Sequence, residues 1–226
     1  MTLHPMTNRR TVSPFTLLGL LVAGFGVSLV TMLFRLAAPD GQLTNAFVVA
    51  RELSVFAVAG LLLLIVTRGE KLGLASIGLH GRHWGKSLLW SVLIYGLCMI
   101  AALAVIGICH VLEIKEHAGF KLYQNVSPWV MTLVMVRAGI VEEICYRGYL
   151  MERLEKISGH WAVYVLLPSV FFGLLHYAQG PRGMLIAFAL GLVMALTYRK
   201  TRDLKANIIA HFLIDFISNV LPLLTK

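Results

Sequence analysis

Seven apolar runs of membrane-spanning character punctuate this chain, and they limit what it can fold into more than any other feature. They cover residues 15–38, 46–67, 87–112, 129–151, 161–177, 184–198 and 206–224. About 20 apolar residues cross a bilayer as a helix. In hydrocarbon the backbone has no water to bond, so such runs must close their hydrogen bonds within helices. The expected fold is an all-α, polytopic transmembrane helical bundle of about seven spans, within a range of six to eight, forming one integral-membrane domain over 1–226. The fifth and sixth runs are short, which predicts spans that are tilted, broken or buried among other helices. Composition agrees: 58% of the residues are hydrophobic and only 14% are charged, against about 25% charged in an average soluble domain. An ordinary water-soluble enzyme, a disordered chain and a fibrous repeat are thereby excluded.

The formal net charge of +9 would suggest nucleic acid in a soluble protein. Here no aromatic-plus-basic motif accompanies it, and no nucleic-acid partner is expected. Basic residues of membrane proteins collect in cytoplasmic loops, where they set orientation and meet anionic lipid. With the N-terminus inside, twelve Lys/Arg fall in inner segments: Arg9 and Arg10; Arg68, Lys71, Arg82 and Lys86; Arg153 and Lys156; Arg199, Lys200, Arg202 and Lys205. Four fall outside: Lys115, Lys121, Arg182 and Lys226. The expectation is a bacterial inner-membrane protein with a cytoplasmic N-terminus and no cleaved leader, since the first run is too long for a signal peptide. Cys98, Cys109 and Cys145 lie in apolar runs with no zinc or disulfide spacing, and read as buried hydrophobes.

Ionisable groups inside the runs need a reason, because each costs at least ~2.5–3.5 kcal/mol at mid-membrane. The fourth run holds Arg137, Glu142, Glu143 and Arg147, the fifth ends at His176, and the seventh holds His211 and Asp215. On a helix Glu143 and Arg147 share a face in the favoured acid-first order. Glu142 is rotated away by about 100°, which leaves one acid neutralised and the other available for chemistry. Gly139 lies on the Glu142 face and would admit a neighbouring backbone or a substrate. His211 and Asp215 are also four apart, so the carboxylate could fix the imidazole tautomer. Phe172 and His176 repeat that spacing, and Pro168 should bend their helix. The competing reading is a set of polar clasps between helices. Two glutamates, an arginine, two histidines and an aspartate on three helices favour chemistry over clasps.

Three motifs then match a known family. Glu142-Glu143-Ile-Cys-Tyr-Arg147 reads EExxxR, Phe172-Gly-Leu-Leu-His176 reads FxxxH, and His211-Phe-Leu-Ile-Asp215 reads HxxxN/D. In this order on membrane helices, over 137–219, the chain resembles the CPBP family of intramembrane proteases, which includes CAAX prenyl endopeptidases and bacterial proteins linked to bacteriocin immunity. The connector KLGLASIGL before the third run is also family-like. Asp215 stands where CAAX-processing members often carry Asn. The catalytic core is expected over about 129–222.

The resemblance implies an endopeptidase acting on a membrane-associated peptide or protein. The residues support the same division of labour. Glu142 would be the general base and His176 would share the attacking water. His211, oriented by Asp215, would donate to the oxyanion or the leaving amine. Arg147 with Glu143 would hold the fourth helix in register. No cofactor is expected. A zinc-dependent version would use Glu142, His176 and His211 with an open fourth position, but HExxH is absent. Other readings are a non-catalytic immunity or scaffold protein and a proton-coupled carrier.

At 1.5 Å per residue, Glu142 and His211 agree in depth near the cytoplasmic side. His176 comes out roughly 22 Å from that face when its helix starts at Trp161. Either that helix starts deeper, or Pro168 folds it back, or the orientation differs there. Outside the motifs, Arg51-Glu52 reads as an interhelical clasp and His80 and His83 as part of a basic, lipid-facing loop. His110 and His117 flank the third run. Segment 114–123 reads as a short interfacial piece, and Trp84, Trp90, Trp129, Trp161 and Tyr198 as an aromatic belt.

Overall fold

The computed structural model describes residues 12–38, 43–81, 84–115 and 126–225. Among them every regular element is a helix. Helix α1 spans Pro14–Ala37, and α2 spans Asn45–Leu64 and runs on through a π-helical turn, Ile65–Gly69. After a 3₁₀ turn at Leu74–Ile77 comes α3, Trp84–Val111. A single rod over 128–158 follows. It is α-helical in α4 (Pro128–Arg137), π-helical at Ala138–Glu142 and Ile144–Met151, and α-helical again in α5 (Glu152–Ser158). The remaining elements are α6 (Trp161–Leu175), a 3₁₀ turn at Tyr177–Gln179, α7 (Gly180–Thr201), α8 (Leu204–Asn219) and a final turn, α9 (Leu221–Leu224).

Local chemistry marks the helix starts. Ser13 caps α1 by accepting from the Phe15 N–H at 3.2 Å, with Pro14 at the first helical position; Thr44 caps α2 by accepting from Phe47 at 3.2 Å. Both serve N–H groups that have no partner within the helix. Each of the seven runs is centred on a helix. Among the described residues four helices are long and apolar enough to cross a membrane: Pro14–Ala37, Asn45–Gly69, Trp84–Val111 and Tyr177–Thr201. The sixth run is therefore longer than its apolar stretch suggested, and α6 is the shorter apolar helix. It stays helical through Pro168.

Burial divides the bundle. Helices α1 and α3 turn rows of Leu, Ile and Phe outward; Leu21, Phe25, Leu29, Leu89, Ile100 and Leu103 are all more than half exposed, as lipid-facing surfaces require. The rod is the opposite: Ile144 to Met151 are buried without a break. Its Val141, Tyr146, Tyr149 and Met151 centre a core with Val55 and Leu62 of α2, Val165 and Phe172 of α6, and Ala195 of α7. The three cysteines are buried free thiols.

Charged residues gather at one end. The Thr16 hydroxyl and the Arg153 guanidinium both donate to Glu70, the latter with Nη2–Oε2 at 2.6 Å. Arg202 binds Glu152 and Glu155, Ser87 donates to Asp203 at 2.6 Å, and the Leu204 N–H donates to the Gly78 carbonyl. The starts of α1, α3 and α8, the ends of α2 and α7, and all of α5 therefore share one layer. Here burial raises the Glu70 pKa, but Arg153, with the Thr16 and Tyr149 hydroxyls, more than offsets it and the carboxyl ends below its ordinary value. Glu155 is likewise held low, chiefly by its hydrogen bonds from Arg202.

His80 is half-buried against the Arg202 carbonyl at 2.6 Å rather than lipid-facing. His83, His117 and all of the proposed interfacial piece beyond Lys115 lie outside the described residues, as do Arg9, Arg10, Arg82, Lys121 and Lys226.

Candidate active site

The site assembles where the π-helical part of the rod meets α8. A π turn spaces backbone bonds one residue wider than an α turn and recurs at functional positions in helices. Gly139 lies in it, and a Cβ there would sit 3.1 Å from the Ile208 carbonyl and 3.2 Å from the Phe212 nitrogen. The neighbour that this glycine admits is the backbone of α8. Close approach at this point puts Glu142 and Glu143 beside His211.

Glu143 is completely buried and fully bonded. Its Oε1 accepts from Arg147 Nη1 at 2.5 Å and faces His211 Nδ1 at 2.8 Å, and its Oε2 accepts from Asn207 Nδ2 at 3.2 Å. Arg147 extends the network by donating from Nη2 to the Gly191 carbonyl of α7 at 3.1 Å. A Cβ at Gly191 would crowd Phe172 at 3.2 Å and just touch this guanidinium at 3.6 Å. The guanidinium also lies over the Phe172 ring at 4.9 Å. Asn207 donates a second bond to the Met194 carbonyl at 3.0 Å. One carboxylate thus ties the rod to α8 and, through its partners, to α7.

Glu142 sits differently. Its side chain keeps 15% exposure, Oε1 accepts from Arg137 Nη1 at 2.8 Å, and Oε2 is 4.0 Å from His211 Nε2. Asp215 Oδ2 is 3.4 Å from the same nitrogen, with 27% of its side chain exposed. The tautomer-fixing contact of His211 is therefore made by Glu143 at Nδ1, and Asp215 faces the other nitrogen. The spacing within α8 suggested Asp215, but the tertiary contact from the rod is shorter. Glu142 is also less free than expected, because Arg137 holds one of its oxygens. Arg137 itself bonds the fully buried Glu52 of α2, which is also bonded by Arg51. Arg51-Glu52 does join helices, and the joint leads straight to Glu142.

His176 closes α6. Its Nδ1 is 2.7 Å from the Phe172 carbonyl, an acceptor, so Nδ1 carries the proton and a neutral ring offers Nε2 as acceptor. The ring packs on Phe172 at 4.6 Å between centroids, and Phe172 packs edge-on against His211 at 6.1 Å. His176 thus joins the site through Phe172, half-buried at the helix end. The depth mismatch narrows to about one helical turn. Tyr164 meets Arg199 near the end of α7, so the first turn of α6 stands in the charged layer. From Tyr164 to Phe172, and from Asp203 to His211, the rise is about 12 Å in each case, so Phe172 stands level with His211 and His176 lies about 6 Å further along the chain.

The zinc set does not come together. Among the described residues no group of three or more His, Cys, Asp or Glu side chains is placed to hold a metal ion. Asn207 and Glu52 were not singled out from sequence as site residues. Asn207 was detectable, since Asn207, His211 and Asp215 fall at successive four-residue steps on one face of α8.

No curated protein and no solved structure matches the chain. One family model does: type II CAAX prenyl endopeptidase Rce1-like, over residues 124–217. That stretch runs from just before the rod almost to the end of α8 and contains all three motifs. Over that stretch, this integral membrane chain is similar to the type II CAAX prenyl endopeptidase Rce1-like family of intramembrane proteases.

Proposed function

We propose that the protein is an intramembrane endopeptidase that hydrolyses a peptide bond of a membrane-associated peptide or protein with a water activated by Glu142. The observation that carries this reading is the 4.0 Å separation of Glu142 Oε2 and His211 Nε2, with the other oxygen and the other nitrogen already held. A separation above 3.5 Å suits one bridging water.

Glu142 Oε2 takes a proton from that water as its oxygen attacks the carbonyl carbon. His176, its Nε2 fixed as acceptor, helps to orient the water. Charge develops on the carbonyl oxygen, and a protonated His211 donates to it from Nε2 in a water-poor site where such a bond is strong. The proton on Glu142 then passes to the leaving amine as the C–N bond breaks, regenerating the carboxylate. Arg137 pins Oε1 throughout, and Glu143 with Arg147 and Asn207 keeps the imidazole aimed. The charged end faces the cytoplasm on the positive-inside rule.

The test is proteomics of membrane peptide termini in cells of the source organism carrying the wild type, a deletion, or Glu142→Gln. The same uncut peptides should accumulate in the deletion and the Glu142→Gln cells, with the variant protein at wild-type abundance. Normal processing by Glu142→Gln, or no processed peptide lost on deletion, overturns the reading.

A further inference from the structure

A second feature stands apart from the Glu142 cluster, at the charged end. A cavity of about 600 Å³ opens there, lined by Glu155, Tyr164, Leu196, Arg199, Lys200 and Arg202. Its size falls in the range of small-ligand sites, and its walls carry three cations against one acid. That acid is already neutralised, because Arg202 clamps Glu155 with Nη1–Oε2 at 2.5 Å and Nη2–Oε1 at 2.7 Å. The remaining positive charge is that of Arg199 and Lys200.

Both cations are steadied by neutral groups. Arg199 donates from Nε to the Tyr164 hydroxyl at 3.2 Å and lies over the Trp161 ring at 5.2 Å; Lys200 lies over Trp90 at 5.5 Å. Aromatic contact places a cation without cancelling its charge, so the wall stays receptive to an anion. One helical turn before Lys200, Leu196 lines the same cavity and is 41% exposed; Leu167, one turn beyond Tyr164, is 54% exposed. The cavity therefore passes from two cations at the aromatic level to an apolar wall that continues along α6 and α7. A free phosphate would use only the first part.

We propose that this cavity binds one anionic glycerophospholipid, its phosphate held by Arg199 and Lys200 and an acyl chain laid along Leu196 and Leu167. The site is independent of the peptidase reading, and its test needs no substrate. Full-length protein is placed in phosphatidylcholine nanodiscs with a minor fraction of brominated phosphatidylglycerol, and quenching of tryptophan fluorescence, to which Trp161 and Trp90 contribute, is read.

Brominated phosphatidylglycerol should quench more than brominated phosphatidylcholine at equal fraction. The double variant R199Q/K200Q should lower the apparent preference roughly tenfold or more, the scale set by two basic residues at an anionic surface. Leu196→Trp, which crowds the acyl wall and leaves every charge in place, should weaken the preference too once its own signal is calibrated. Arg68→Gln with Lys71→Gln, at the same end but outside the cavity, should leave it intact. Equal losses in the two charge pairs would mean a general surface attraction and overturn the proposal. So would full displacement of the brominated lipid by millimolar inorganic phosphate, which marks a free-phosphate site, or a wild type with no preference. Size-exclusion profiles show that each variant is folded.

Discussion

Glu142 and Glu143 are neighbours in sequence and opposites in setting. Glu143 has no exposed surface and receives Arg147, Asn207 and His211; Glu142 keeps part of one face open, with Arg137 on one oxygen and a histidine nitrogen 4.0 Å from the other. Saturated acids in a membrane interior hold helices together. An acid with one oxygen pinned and one unspent is suited to move a proton. The difference teaches that the chemistry of an EE pair is assigned by partners from other helices, because the two side chains are identical.

The sharpest way to break this contrast is to neutralise each acid in turn. Glu142→Gln keeps shape and can still accept from Arg137, so stability should change little while processing falls by about 10²–10⁴, the usual contribution of a general base. Arg147→Ala should do the reverse. It leaves the buried Glu143 carboxylate without its main partner, and stripping one member from a buried pair costs about 3–5 kcal/mol. Thermal unfolding in detergent and protein abundance in membranes should both drop. Equal stability losses from the two substitutions would erase the distinction between the acids.

Asn207 refines the comparison at lower cost. Asn207→Leu removes a donor to Glu143 and a donor to the Met194 carbonyl in a fully buried position, with an expected loss of about 1–3 kcal/mol. Because Asn207 also steadies the carboxylate that aims His211, activity per folded molecule should fall modestly, far less than with Glu142→Gln, read as turnover normalised to monodisperse protein. Glu52→Gln probes the other side. It weakens the anchor of Arg137 on α2, and should slow cleavage per folded molecule, read as turnover normalised to monodisperse protein.

These pairs also show which parts of the site sequence could reveal. Glu143–Arg147 and Phe172–His176 lie four residues apart on single helices, so periodicity alone brings them together. The His211–Asp215 spacing was equally visible, but a contact from the rod outcompeted it for Nδ1. The link from Glu52 through Arg137 to Glu142 spans α2 and the rod, and nothing local marks those two helices as neighbours. The π turns were hidden as well. No residue pattern within 138–151 separates them from α-helix. Helix positions were legible because lipid imposes length and apolarity, while α7 exceeded its apolar run because its Pro- and Gly-bearing first turn is helical too.

The smallest expected effect concerns the charged end, where ion pairs meet water. Glu155 and Arg202 are each about a third exposed, so their pair is worth under about 1 kcal/mol. Because the Glu155 pKa is depressed in the folded protein, its contribution is complete above the unfolded carboxyl value of about 4.3 and is lost as pH falls through the lower folded value. Glu70, depressed by Arg153 against its own burial, acts in the same direction. Hydrogen exchange followed from pH 6 to pH 3 should show α5 and the 65–78 connector loosening first. The Glu143 network, sealed from solvent on every side, should keep its protection over the same range. Arg202→Gln should flatten the pH response of α5 while leaving that of the connector in place. Loosening that instead began at His211 and Asn207 would show that burial does not shield the saturated acid, and the contrast between the two glutamates would lose its physical basis.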